Sequence, residues 1–102
     1  MATRHNQWRT KQMKELFRTI ADLQDPREVA DFLRDLCTIH ELEAMAHRWQ
    51  VARLVDQGLP YTEIAEKTGA STATVTRVAH WLNHGEDGYR TAIDRAKKAA
   101  TA

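Results

Sequence analysis

Cysteine occurs once, at Cys37, which excludes an internal disulfide framework and a zinc site built from several cysteines, and fits a reducing compartment. Proline occurs twice and glycine four times in 102 residues, far below the content of collagen-like or Pro/Gly-rich disordered chains. No run approaches the roughly 18 consecutive apolar residues of a membrane-spanning helix. The opening MATRHNQWRT is basic without the apolar stretch of a secretory leader, so a cytoplasmic, nucleoid-associated location without membrane contact is expected. Charge of one sign is missing too. Fifteen Lys and Arg face fourteen Asp and Glu, a formal net charge of +1 that gives no sign of a polyanionic partner.

What is present is ordinary for a small globular domain: 42% apolar and 28% charged residues. The length allows one core, so a single domain is expected over residues 8–100, preceded by a flexible basic arm at 1–7 and followed by a frayed end at 101–102. Apolar residues recur at helical spacing and no useful period-two pattern occurs, which makes the chain all-α with about six helices. Met13, Leu16, Phe17, Ile20 and Leu23 form a first stripe that needs a partner to bury it. Asp25, Pro26 and Glu28 carry the start signals of a second helix, whose buried face would be Val29, Phe32, Leu33 and Leu36. Thr38 and Glu41 have capping-box spacing and open a long helix, with Leu42, Met45, Ala46, Trp49, Ala52 and Val55 as its stripe up to Gly58. Beyond it come YTEIAEKTG, ASTATVTRVAHWL, a turn over 83–88 and a last helix over 89–100 with Tyr89, Ala92, Ile93 and Ala96 on one face.

Residues 61–81 read as a helix-turn-helix. Ile64 is expected inside, small Ala65 allows close approach of the second helix, and Gly69 supplies the left-handed turn residue. Ser71 caps the second helix, which Val75 and Val78 lock against the first, leaving Thr72, Ala73, Thr76, Arg77 and His80 outward. Hydroxyls, small methyls and a guanidinium suit a DNA major groove, so these residues, with Ser71 and Thr74, form the candidate reading surface. Tyr61 and Thr62 are candidate phosphate contacts. The same positions also suit a helical hairpin whose Ala, Gly and Val serve packing alone.

The net charge hides an uneven distribution. Residues 1–18 hold five basic side chains against Glu15, residues 19–58 four basic against eight acidic, and residues 89–102 four basic against Asp94. Basic ends flanking an acidic middle fit either an arm that contacts DNA or a solubilising end. His80 and His84 stand four apart and His40 and His47 seven apart, but no carboxylate or further cysteine completes a ligand set, so no metal site is expected. Cys37, Trp49 and Trp81 are expected in the core, with Trp8 unassigned. No nucleophile, base or metal constellation emerges, so the chain is not expected to be an enzyme.

The stretch LCTIHELEAMAHRWQVARLVDQG, followed by GASTATVTRV and LNHGEDGY, resembles the Trp repressor superfamily and, within it, a Trp-repressor-like bacterial branch; the resemblance covers about residues 13–95. It implies an intertwined helical homodimer that presents two helix-turn-helix heads to double-stranded DNA, acting as a transcriptional regulator and, most simply, as a repressor. The alternative is a dimerisation or adaptor protein whose helix-turn-helix no longer touches DNA. In that family two arginines sandwich an amino-acid co-repressor; the matching positions are Arg48 and Arg77. A glycine follows the second arginine in the tryptophan-binding protein, and Val78 stands there in this chain. No cofactor is therefore expected to be required: the arginine pair leaves a place for a small-molecule co-repressor, and Val78 disfavours tryptophan.

Overall fold

A computed structural model describes residues 8–101, and the proposed arm at 1–7 lies outside them. Among the described residues there are six helices and no strand: α1 (Lys11–Asp22), α2 (Pro26–Leu36), α3 (Ile39–Asp56), α4 (Tyr61–Thr68), α5 (Thr72–His84) and α6 (Gly88–Thr101). None is long and apolar enough to cross a membrane. Contacts divide the chain into two units, one ending at Leu42 and one beginning at Glu43.

In the first unit, local chemistry sets the helix ends. Thr10 accepts from the Met13 amide at 3.1 Å, and Asp25 accepts from the Glu28 amide at 2.9 Å with Pro26 at the first turn of α2. At the start of α3 the capping box is reciprocal: Glu41 accepts from the Thr38 amide at 2.8 Å while Thr38 accepts from the Glu41 amide at 3.1 Å. That amide holds the Glu41 carboxyl below its ordinary range. The apolar faces of α1 and α2 are only partly covered: Leu16, Ile20, Leu23, Val29, Phe32 and Leu33 are half-buried. Neither helix has a buried residue, and Met13, Phe17, Leu36 and Ile39 are 40%, 42%, 50% and 47% exposed. Trp8, unassigned from the sequence, lies edge-on to Phe17 and has the Arg9 guanidinium 4.6 Å from its ring centre. Cys37 is half-buried.

The second unit holds the core: Val51 and Ala52 of α3, Ile64 of α4, Val75, Val78, Ala79 and Leu82 of α5, and Ile93 of α6. Trp49, Leu54, Leu59, Ala65 and Tyr89 pack partly buried around it. The expected stripe of α3 is corrected here: Met45 is 41% exposed and Ala46 is exposed, whereas Val51, off that stripe, is fully buried. The apolar residues of α3 are spread around the helix, so periodicity alone could not select the face that meets α4 and α5. Trp81 is also corrected, being 43% exposed. The expected turn over 83–88 is shorter, because α5 continues to His84 and α6 begins at Gly88; Thr101 is helical where fraying was expected. Gly85 closes α5 under the Trp81 carbonyl, where an added Cβ would stand 2.5 Å from that oxygen.

Asp56, at the end of α3, ties that helix to α6. Its carboxylate receives Lys97 Nζ at 2.8 Å on one oxygen and Arg90 on the other, and its side chain is only 10% exposed. Lys97 first and Arg90 second hold the Asp56 carboxyl below the ordinary aspartate range. A depressed folded-state pKa means that the stabilisation is present at neutral pH and is lost as pH falls below the unfolded aspartate value of about 3.9 and through the folded one. Asp56→Asn should therefore lower the thermal midpoint at pH 7, and its deficit against the parent should shrink in melts toward pH 3. An equal deficit at both pH values would remove the carboxylate from this role.

Candidate nucleic-acid interface

α4 and α5 are set against each other by a turn with three interlocking parts. Gly69 adopts φ +79, a conformation that costs a side chain about 1 kcal/mol or more, and its amide bonds the Ala65 carbonyl at 2.9 Å. Thr68 is buried; its hydroxyl donates to the Ile64 carbonyl at 2.8 Å and accepts from the Ala70 amide at 3.1 Å. Ser71 then caps α5, accepting from the Thr74 amide at 3.1 Å while donating to the Thr74 hydroxyl at 3.1 Å. Ile64, Val75 and Val78 are each fully buried between the two helices. Thr68 was not singled out from the sequence, although a threonine one residue before the turn glycine was the available signal.

Because Val75, Val78, Ala79 and Leu82 take the inner side of α5, the opposite side carries Thr72, Ala73, Thr76, Arg77 and His80, all exposed. These five expected residues come together on one helix face. Ser71 is exposed but its hydroxyl is engaged in the cap, and Thr74 is half-buried beside it. Tyr61, 42% exposed, and Thr62 lie in the first turn of α4, where backbone amides and the positive helix end favour an anion. No acidic residue shares the outward face of α5 between Thr72 and His80.

Arg48 and Arg77 meet across a cavity of about 430 Å³ lined by Ala44, His47, Arg48, Ala70, Thr74, Arg77, Val78 and Trp81. Its lining contains two guanidiniums, an imidazole and no carboxylate. Val78 forms part of the wall while remaining fully buried. Ala44, His47, Ala70 and Trp81 were not read as cavity residues, since they come from two helices, α3 and α5, and the turn before α5, with no common spacing. The charge of Arg48 also reaches α6: burial pushes the Tyr89 phenol above its ordinary pKa, and Arg48 opposes that rise. Among the described residues no group of three or more His, Cys, Asp or Glu could hold a metal ion.

Six helices, a left-handed glycine turn and an exposed face on the second helix of the pair define an all-α helix-turn-helix protein. The chain belongs to the Trp repressor protein family, which it matches over residues 11–97. The uncharacterized protein YerC of Bacillus subtilis (strain 168) is 45% identical over 93 residues, covering 91% of this chain and 89% of YerC. A solved TrpR-like protein from Eubacterium eligens ATCC 27750 superposes with a TM-score of 0.84 at 42% identity, covering 90% of this chain and 95% of the other. A Trp repressor candidate from Staphylococcus aureus gives the same TM-score at 38% identity, covering 90% and 92%.

Proposed function

We propose that this protein is a cytoplasmic, sequence-specific DNA-binding transcriptional regulator, most simply a repressor, that acts as a homodimer and reads an operator through the outward face of α5. The observation that carries the reading is the joint exposure of Thr72, Ala73, Thr76, Arg77 and His80 on a helix whose other side is locked by fully buried Val75 and Val78. Thr and Ala methyls suit thymine, Arg77 suits guanine O6 and N7, and Tyr61, Thr62 and the Ser71 end of α5 suit phosphate. Two such helices in a two-fold dimer would enter successive major grooves about 34 Å apart, a geometry for which Trp repressor is itself a reference case.

Dimerisation is supported by the partly exposed apolar faces of α1 and α2, where Phe17 and Leu36 are 42% and 50% exposed. Phe17→Glu should convert a dimeric sedimentation profile into a monomeric one. A dimer that survives this change at micromolar concentration would assign the interface elsewhere. The cavity between Arg48 and Arg77 is the place for a small-molecule co-repressor, with tryptophan disfavoured by the Val78 wall; no cofactor is required for the proposed activity.

The decisive experiment selects bound sequences from a random duplex pool and titrates the winner across salt. A binder that neutralises Z phosphates loses affinity with a log–log slope of about −0.9Z, so four or more phosphate contacts would weaken binding roughly a hundredfold between 50 and 200 mM salt. An adaptor that keeps the helix-turn-helix only for packing, a reading for which the scarcity of basic residues over 59–88 (Lys67 and Arg77 against Glu63, Glu66, Glu86 and Asp87) speaks, enriches no sequence and binds at no salt. Repeating the selection with candidate amino acids tests the cavity.

A further inference from the structure

We propose that His80 and His84 form a two-point chelating site for a borderline divalent transition metal of the Ni²⁺, Cu²⁺ and Zn²⁺ class. The two residues are four apart on α5, one turn above each other on the same face, and both are exposed. Their rings stand 5.0 Å apart, centre to centre, tilted by 42°. That spacing is compatible with a chelate. With a metal–nitrogen bond of about 2.0 to 2.1 Å and the ring centre about 1.1 Å behind the ligating nitrogen, a tetrahedral angle at the metal places the ring centres about 5.2 Å apart. Octahedral coordination would bring them to about 4.5 Å, so the observed separation of 5.0 Å lies between the two values, and turning the exposed rings about their side-chain bonds would aim their nitrogens at one ion.

The helix also supplies rigidity. Val75, Val78, Ala79 and Leu82 fix the inner side of α5, and Asn83, between the two histidines, donates its side-chain amide to the Ala79 carbonyl at 3.0 Å. The imidazoles thus project from a backbone that does not need to be ordered by the ion, which lowers the cost of binding. No third His, Cys, Asp or Glu among the described residues completes the shell. Two positions or more stay open for water or for an oxygen brought from outside, which makes the site weaker than a closed structural one with four protein ligands. Imidazole nitrogens select borderline transition metals over Mg²⁺ and Ca²⁺, which prefer oxygen donors.

His80 shares its face with Thr76 and Arg77. On the proposed DNA-reading role, a bound dication would add charge beside the guanidinium and offer its open positions to a phosphate oxygen, so metal and DNA would bind more tightly together than apart. The chelate itself does not depend on that role.

The test is a calorimetric titration of the full chain with ZnCl₂ and NiCl₂, with and without excess MgCl₂, while the imidazole resonances are followed by NMR. The expected result is one site per chain, His80 and His84 shifting together, no competition from Mg²⁺, and affinity reduced at least about tenfold by either His80→Ala or His84→Ala. Absence of binding up to millimolar metal, or equal affinity in both variants, overturns the proposal. A second titration measures duplex affinity with and without Zn²⁺: the parent should bind more tightly with the ion, and His84→Ala should match the metal-free parent and ignore the ion. His-dependent metal binding with no effect on DNA would keep the chelate and count against the DNA-reading face.

Discussion

Replacing Ile64 by alanine should cost about 2 to 5 kcal/mol of folding stability, the largest loss expected from any single truncation in this chain. Ile64 is fully buried and lies in a core that, among the described residues, comprises eight buried apolar side chains, including Val75 and Val78 of α5 and Val51 of α3. Removing three carbons there leaves a void that fixed backbone on both sides of the Gly69 turn has little freedom to close. Small domains have total stabilities of about 5 to 15 kcal/mol, so the variant should melt at least about 10 °C lower and approach the unfolding threshold near physiological temperature. Urea denaturation followed by circular dichroism measures it directly. Ile64→Val, which keeps the branch, should lose only about 0.5 to 1.5 kcal/mol. A loss below 1 kcal/mol for the alanine variant would mean that α4 is not held to α5 through this residue. DNA affinity, on the proposed role, should fall with it, because Ile64 shares with Val75 and Val78 the packing that sets α5 against α4.

Arg77→Ala should weaken binding to the preferred operator by about 1 to 3 kcal/mol, the range for one bidentate base contact, while leaving the thermal midpoint nearly unchanged because the side chain is exposed. Arg77→Lys separates the two roles a guanidinium can take on this face. A phosphate contact survives the exchange, since only the charge is needed; a bidentate grip on guanine does not. The corresponding readouts differ as well: loss of a phosphate contact lowers affinity for all sequences and reduces the salt slope by about 1, whereas loss of a base contact relaxes selection at one position. Arg48→Ala serves as the control from the other side of the cavity, and should leave operator affinity unchanged in the absence of a small-molecule ligand. Unaltered operator binding by Arg77→Ala would remove this arginine from the interface.

The parts of the fold legible in the sequence are those written in local chemistry. The Asp25 cap, the Thr38 and Glu41 box, the left-handed Gly69 and the Ser71 cap each depend on residues within four positions of one another, and each occurs as read. The inner face of α5 was equally legible, because Val75 and Val78 are separated by one helical step and flanked by polar residues. What escaped was set by tertiary partners. Asp56 meets side chains 34 and 41 positions away. Val51 is buried on a helix whose apolar residues point in several directions, and Trp81 stays at the surface although it adjoins the buried Leu82. The candidate interface follows the same division: its face could be drawn from spacing, whereas the cavity behind Arg77 needed α3 and the turn before α5 to be brought against α5.

The apolar faces of α1 and α2 carry a consequence for dosage. If, as proposed, a second copy covers these partly exposed faces, the amount of paired chain rises with the square of its concentration when the chain is scarce, and linearly once it is abundant. On the proposed regulatory role, an operator bound only by the pair would stay empty through small fluctuations in synthesis and fill steeply once a threshold is passed. The cell would read the abundance of this protein as a setting, and dilution at division would reset it without any signal molecule.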